Sequence, residues 1–361
     1  MSKTAIVLLN LGGPDSKNAV RPFLMNFFMD KNIIRVPIPF RCLIAWSIAR
    51  KRSRDEAKAS YDEIGGFSPL LKNTKVQAEA LEQEISARDK STTYKVFVCM
   101  RYWHPMSDQV VREVRDWGAD NIILLPLYPQ YSTTTTRSSL QVWQKACHIA
   151  DYERPTKLIC CYPWQDGYVK ASAENILKVY KEAESTGHKP RILFSAHGLP
   201  ESVIKSGDPY QRQCEQTAEK IVEEMKIDDL DWQICYQSRV GPKKWIGPST
   251  EEALEKAATD KVPVLIYPHA FTQEHVETLV ELDIEYKHVA DKLGIEGYYR
   301  AETVGTHPVF IKGLADMVLQ SSDHAEIASH TGECLCAPES GECCMREYKS
   351  VRDAAPDRQG K

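Results

Sequence analysis

No run of this chain approaches the roughly 18–20 consecutive apolar residues needed to cross a bilayer, so the sequence predicts no transmembrane helix. Charge of one sign is not in excess either. Lys and Arg total 46 against 50 Asp and Glu, a formal net charge of −4, which leaves no electrostatic case for a nucleic-acid partner. No secretory leader is predicted: Met1-Ser-Lys-Thr-Ala-Ile-Val-Leu-Leu carries one basic residue and a short apolar run, and it reads as a first strand. The dinucleotide spacing G-x-G-x-x-G is also lacking, and Asn10-Leu-Gly-Gly-Pro14 supplies only a tight turn. These absences predict a cytoplasmic protein that can touch a membrane without spanning it.

What is present describes an ordinary globular chain, with 42% hydrophobic and 27% charged residues, and 361 residues favour two domains over one. Of eleven cysteines, Cys99, Cys160, Cys161 and Cys235 sit inside apolar runs, where a free thiol acts as a small hydrophobe. Cys334, Cys336, Cys343 and Cys344 instead crowd together near the C-terminus. In a cytosolic chain that crowding points to a metal or iron–sulfur site rather than disulfides.

Short apolar runs alternate with longer amphipathic stretches, the rhythm of buried parallel strands covered by helices. The strands are predicted at 4–9, 94–100, 121–127, 157–162, 190–196, 232–237 and 262–267. Helices are predicted at 70–88, 106–118, 138–149, 168–186, 209–226, 249–259 and 272–293. Asp208-Pro209 and Pro248-Ser249 mark helix starts, with Glu251 and Glu252 favouring the dipole. The reading is a parallel α/β protein of two similar halves meeting near 162–170. Its strands run into unusual loops, at Asn10–Pro14, Arg101–Pro105, Tyr128–Ser132, Ser195–Pro200, Gln237–Pro242 and Pro268–Phe271. Ligand crevices of open α/β sheets lie beyond the carboxyl ends of the strands, so these loops are expected to converge on one cleft.

His197, straight after a buried strand and followed by Gly198, is presented at a strand tip, where imidazole can accept a proton or ligate a metal. In 268–283, Thr272 reads as the N-cap of a helix that carries Glu274, Glu277 and Glu281 as one acidic stripe, with His275 beside them. Such a stripe is by default a solvated face. At the mouth of a cleft it can instead accept protons or guide a hard divalent cation. Arg101, Tyr102, Tyr128 and Trp245 at other strand tips would together suit a flat, negatively charged aromatic ligand. The run Ser132–Thr136 is turn and capping material whose N–H groups could hold an anion. Residues 33–54 join Leu43, Ile44, Trp46 and Ile48 to a basic flank of Arg50, Lys51, Arg52 and Arg54. Two readings stand there: a core helix with a solvated basic end, or an interfacial segment that docks on anionic lipid.

The stretch Ile192-Leu-Phe-Ser-Ala-His-Gly-Leu-Pro-Glu-Ser with Gly207-Asp-Pro-Tyr210 resembles the ferrochelatase signature. LNLGGP (9–14), RYWHP (101–105), YPQYSTTTT (128–136), QSRVGPKKWIGP (237–248) and AFTQEHVETLVELDIEY (270–286) resemble the same family in the same order. The resemblance implies two Rossmann-like lobes, each a parallel sheet flanked by helices, with the porphyrin held between them. It implies an N-terminal lobe over 1–165 with a membrane and porphyrin lip near 33–54, and a C-terminal lobe over 166–305. A helix over 306–330 would pack back on the first lobe, followed by a Cys-rich tail over 331–361. It implies insertion of ferrous iron, as substrate, into protoporphyrin IX to form protoheme. His197 and Glu277 would be catalytic and metal-binding, and Glu274, His275 and Glu281 would form a proton or metal channel. Leu11, Arg101, Tyr102, Tyr128, Ser238 and Trp245 would bind porphyrin. Ser53 stands where some relatives have a propionate-binding arginine, flanked by Arg52 and Arg54. The His275–Tyr286 stretch resembles family members that act on protoporphyrin rather than coproporphyrin. Some members carry a [2Fe–2S] cluster on C-terminal cysteines. Because Thr133 stands at the internal ligand position of relatives that use one, Cys334, Cys336, Cys343 and Cys344 are expected to supply all four thiolates. Peripheral contact with the inner membrane and a homodimer are further expectations. The rival readings are a chelatase for another tetrapyrrole, such as coproporphyrin, and a non-catalytic porphyrin or heme carrier.

Overall fold

The computed structural model describes residues 1–53, 63, 65–239, 241 and 243–346. Arg54 of the basic flank, Val240 and Pro242 of the 237–248 stretch, and the tail beyond Arg346 lie outside the described residues.

In chain order the elements begin with β1 Ser2–Asn10, α1 Val20–Phe28, α2 Ile38–Arg52, α3 Leu70–Arg88, β2 Thr92–Met100, α4 Ser107–Trp117, β3 Asn121–Pro126, α5 Thr136–Ile149 and β4 Thr156–Ile159. They continue through α6 Asp166–Ser185, β5 Arg191–His197, α7 Glu201–Lys205, α8 Tyr210–Met225, β6 Trp232–Gln237, α9 Thr250–Asp260 and β7 Val264–Tyr267. The last are α10 Val276–Leu279, α11 Tyr286–Lys292, β8 Tyr298–Arg300, α12 Pro308–Gln320 and β9 Ile327–Ala328. The strands form two sheets, ordered β2-β1-β3-β4-β9 and β6-β5-β7-β8, and every pairing is parallel. Apart from β9, the second sheet repeats the winding of the first. The duplication expected from strand rhythm is therefore present in topology.

The central strands are buried on both faces, which is why they read as unbroken apolar runs: Ala5 to Leu9 and Ile192 to Ala196 are essentially inaccessible. α6 stands between the sheets. Tyr168 and Ala171 pack into the core of the first sheet, whereas Val169, Ala173, Ile176 and Tyr180 pack into that of the second. α12 adds Phe310, Leu314 and Val318 to the first core. At α9 the predicted start holds: Ser249 accepts from the Glu252 N–H and donates its own N–H to the Glu252 carboxylate.

Two expectations change. The helix read over 272–293 is not continuous, and Thr272 does not cap it, because its hydroxyl donates across to the Leu127 carbonyl. The helix begins only at Val276, with His275 as its N-cap, and after four residues gives way to a π turn over Glu281–Glu285 before α11. Residues 38–52 are helical but do not form a core helix. Only Ala45 and Ala49 turn fully inward, while Ile38, Phe40, Leu43 and Trp46 are 65%, 62%, 68% and 46% exposed.

Candidate active site

Each sheet has a switch point where neighbouring connections leave in opposite directions, between β1 and β3 in one and between β5 and β7 in the other. The loops leaving these four strand tips line a single cleft. Asn10, Leu11, Leu127 and Tyr128 come from the first sheet, and His197, Phe271, His275 and Glu277 from the second. The wall is mostly apolar, with Phe27, Ile33, Leu70 and Leu199 added from flanking segments. This lining suits one flat, largely apolar ligand.

Strand β5 delivers His197 to this wall. Gly198 follows because any Cβ there would lie 2.9 Å from the Gln237 carbonyl of the neighbouring strand. Nδ1 of His197 lies 3.1 Å from a carboxylate oxygen of Glu277, which leaves Nε2 as the other ring nitrogen. Glu277 occupies the first turn of α10, and its N–H donates to Nδ1 of His275 at 3.0 Å. Four donors gather on Glu281: the Ser238 N–H at 2.8 Å, the Ser238 hydroxyl at 2.5 Å, the Gln237 amide at 3.0 Å and the Tyr286 hydroxyl at 3.2 Å.

Charge is distributed unequally among these groups. Burial would raise the Glu277 carboxyl, but the charge and hydrogen bond of His197, with the nearby His275, hold it down to about 2. Burial disfavours the His197 cation, yet Glu277 and then Glu281 outweigh that and raise the imidazole above its usual value. Glu281 moves upward, through burial first and repulsion from Glu277 second. Burial lowers His275, which favours its neutral form. Two carboxylates and two histidines with values driven apart can hold, pass and release protons near neutral pH.

The expected site residues divide into groups. Leu11, Tyr128, His197, His275 and Glu277 line the cleft, and Ser238 and Glu281 stand directly behind Glu277. Trp245 bridges Pro200, so its ring lies against the Gly198 turn. Glu274 is not joined to this group. Its carboxylate accepts from Arg300 at 2.7 Å and from the Thr303 N–H at 2.8 Å. Arg101 and Tyr102 are not among the described residues that line the cleft. Both are committed to the buried Asp30, the guanidinium at 2.9 Å and the phenol at 2.7 Å, and Arg101 also bonds Ser138 at 2.6 Å.

In the tail, the sulfurs of Cys334, Cys336 and Cys343 all lie within 4.8 Å of one another. Cys344 does not join them; it is buried in the core of the first sheet. The Gln213 amide instead reaches both Cys336 Sγ, at 3.8 Å, and Cys161 Sγ, at 3.7 Å. Thr133, which directly follows the YPQYS stretch, donates to the buried Asp208.

Sequence reasoning missed Asp30, Gln213, Gln237, Gln273 and Arg300. Gln237 lies inside a recognisable motif, so a signal existed for it; nothing in the sequence around Asp30 or Arg300 marks them out.

Known proteins resemble this chain over nearly its whole length. The family model described as Ferrochelatase matches residues 3–322. A ferrochelatase of Wolbachia sp. subsp. Drosophila simulans is 52% identical over 318 residues, covering 88% of this chain and 99% of its own. One of Caulobacter vibrioides is 45% identical over 351 residues, covering 97% of this chain and 99% of its own. Among solved structures, SirB from Bacillus subtilis with Fe3+ shares the fold at a TM-score of 0.50 and 14% identity, covering 89% of this chain and 96% of its own.

Proposed function

This chain belongs to the ferrochelatase family and inserts ferrous iron into a porphyrin in heme synthesis, and from that premise we propose how its residues divide the work. A free-base porphyrin must lose two pyrrole protons, and Fe2+ must shed water, before nitrogen lone pairs can close on the metal. Binding a distorted ring better than a flat one would favour that closure.

His197 takes a pyrrole proton. Its Nδ1–H donates to Glu277, which leaves the Nε2 lone pair for the ring. Glu277 stabilises the imidazolium that forms, while Glu281 and the neutral His275 pass protons outward and guide the incoming cation. Leu11 and Tyr128 hold the macrocycle. Trp245 supports the turn beside His197, and Tyr102, held with Arg101 on Asp30, backs the cleft-lining Phe27. Glu274 supports the segment from behind rather than joining the relay.

The observation that carries this reading is the His197–Glu277 bond at the wall of an apolar cleft. Its test is metal insertion and porphyrin binding in His197→Ala and Glu277→Gln. Turnover is expected to fall by about 10²-fold or more, the usual weight of a positioned acid–base group, with porphyrin affinity kept within a few fold. Near wild-type turnover in either variant overturns its role. The apolar wall and the His275–Tyr286 stretch favour protoporphyrin IX over coproporphyrin, and turnover of the two with Fe2+ decides between them.

Two further readings complete the proposal. The outward apolar residues of α2, ending in Arg50, Lys51 and Arg52, suit peripheral docking on an anionic inner-membrane surface beside the cleft. The three gathered tail thiols suit a [2Fe–2S] cluster, which would add one-electron chemistry when bound. Cys161 and Cys344 are both buried in the first core, and the Gln213 amide that joins Cys161 to Cys336 favours Cys161 as the fourth ligand.

A further inference from the structure

The segment that carries His275, Glu277 and Glu281 has little stability of its own. Its α-helical part is four residues long, far below what holds in isolation, and it continues into a π turn, a rare geometry that depends on outside support. Within that turn the Glu285 N–H bonds the Val280 carbonyl at 3.0 Å, the five-residue spacing of a π hydrogen bond. The extra residue sets the register in which Glu281 reaches Ser238 and Gln237 while Glu277 reaches His197.

One side chain grips this segment at both ends. Arg300, at the tip of the edge strand β8, donates from Nε and Nη2 to the two carboxylate oxygens of Asp283, at 2.6 and 2.8 Å. Its Nη1 donates to Glu274 at 2.7 Å. Asp283 lies inside the π turn and Glu274 lies just ahead of the His275 cap, so Arg300 spans the whole stretch between them. Its side chain is only 13% exposed, which strengthens a planar, bidentate pairing of this kind. The Thr303 N–H and the Asn73 amide, bonded to the carboxylate and carbonyl of Glu274, fix the forward end further.

We propose that Arg300 is the positioning residue of the metal side of this site: by bridging Glu274 and Asp283 it holds the π turn that aims Glu277 at His197 and Glu281 at Ser238 and Gln237. This rests on the proposed roles of Glu277 and Glu281. Arg300 touches neither porphyrin nor iron; it acts through the carboxylates it aligns.

The test is steady-state metal insertion with porphyrin and metal varied separately, using Zn2+ as an air-stable probe beside Fe2+, in Arg300→Met, Arg300→Lys and Asp283→Asn. Arg300→Met is expected to raise the metal KM about tenfold or more, with the porphyrin KM within twofold. It should also shift the acid limb of the pH–rate profile. Arg300→Lys, which can reach one carboxylate but not fork across both, should fall between Met and wild type. Asp283→Asn should shift the same parameters in the same direction by less. If Arg300→Met fails to fold, Arg300→Lys and Asp283→Asn carry the test. An unchanged metal KM and pH profile in well-folded Arg300→Lys and Asp283→Asn overturns the proposal, and so does an equal rise in both KM values. Glu277→Gln assayed in parallel separates the two levels. If Glu277→Gln keeps turnover, the channel reading fails; if it loses turnover while the Arg300 variants keep wild-type metal kinetics, the clamp fails.

Discussion

At the scale of single residues, the roles proposed for His197 and Glu277 would couple catalysis to pH with a definite sign. Glu277 raises the histidine above its usual 6.5, and His197 and His275 in turn hold the carboxyl down to about 2 from 4.5. The histidine's share of the folding stability is therefore fully present below about pH 6.5 and lost as pH rises through its raised value. The carboxylate's share is present above about pH 4.5 and lost as pH falls toward 2. Under the proposed role, catalysis runs the other way on the histidine, because only neutral imidazole could accept a pyrrole proton. The rate of insertion should therefore fall as pH drops through a value above 6.5. In Glu277→Gln the attraction is gone while burial remains, so the His197 titration should move to lower pH. Titration of the His197 ring protons by NMR, alongside kcat/KM against pH, measures both shifts. A titration that stays in place or rises would show that Glu277 does not set the histidine's charge.

At the scale of elements, α2 is inverted relative to an ordinary surface helix. It offers only the small Ala45 and Ala49 to the core and turns its large apolar residues to solvent, so a charge at Leu43 removes no internal packing. Leu43→Glu is expected to change folding stability by less than about 0.5 kcal/mol, as usual for exposed positions. The same change should weaken co-sedimentation with anionic vesicles several-fold. Vesicle binding equal to wild type would count against the docking surface. Elements like β1, β3 and β5 were legible from sequence because strands buried on both faces leave continuous apolar runs, and their tips pointed to His197. β8 and β9 were not, being three and two residues long. The 270–286 segment was legible as an acidic stretch at the cleft but not in its shape. Reading it with a helical period assumes that local geometry sets the register. Here Ser238, Tyr286 and Arg300 set it from positions distant in the chain or across the π turn. Arg300 and Asp30 stayed invisible for a related reason, since their partners become neighbours only in the fold.

At the scale of the molecule, the cleft exists because two sheets of the same winding are locked with their strand tips facing one space, and a buried amide network does much of the locking. Gln273, from the loop after β7, reaches across to the first sheet. Its carbonyl oxygen accepts from Asn10 at the tip of β1 and from Thr74 on α3, both at 2.8 Å. Its amide donates to Gln77 at 2.5 Å, and Gln77 returns to the Gly305 carbonyl of the second half, also at 2.5 Å. Gln273 is buried and also lines the cleft, so a single side chain joins the two halves and shapes the space between them. Replacing it with leucine keeps the volume but leaves the Gln77 carbonyl without a partner and the Asn10 amide with Thr74 alone. A buried group left unsatisfied costs about 1–3 kcal/mol and a further lost hydrogen bond about 1 kcal/mol, so Gln273→Leu should lower unfolding stability in urea by about 2–4 kcal/mol. Because the lost bonds run between the halves, porphyrin affinity should fall with stability, and it should do so in Gln273→Glu as well. That variant keeps an acceptor for Asn10 but cannot donate to Gln77, and it adds charge to an apolar wall. A Gln273→Leu protein with stability within 0.5 kcal/mol of wild type and unchanged porphyrin affinity would mean that apolar packing through α6 and α12, rather than this network, fixes the cleft.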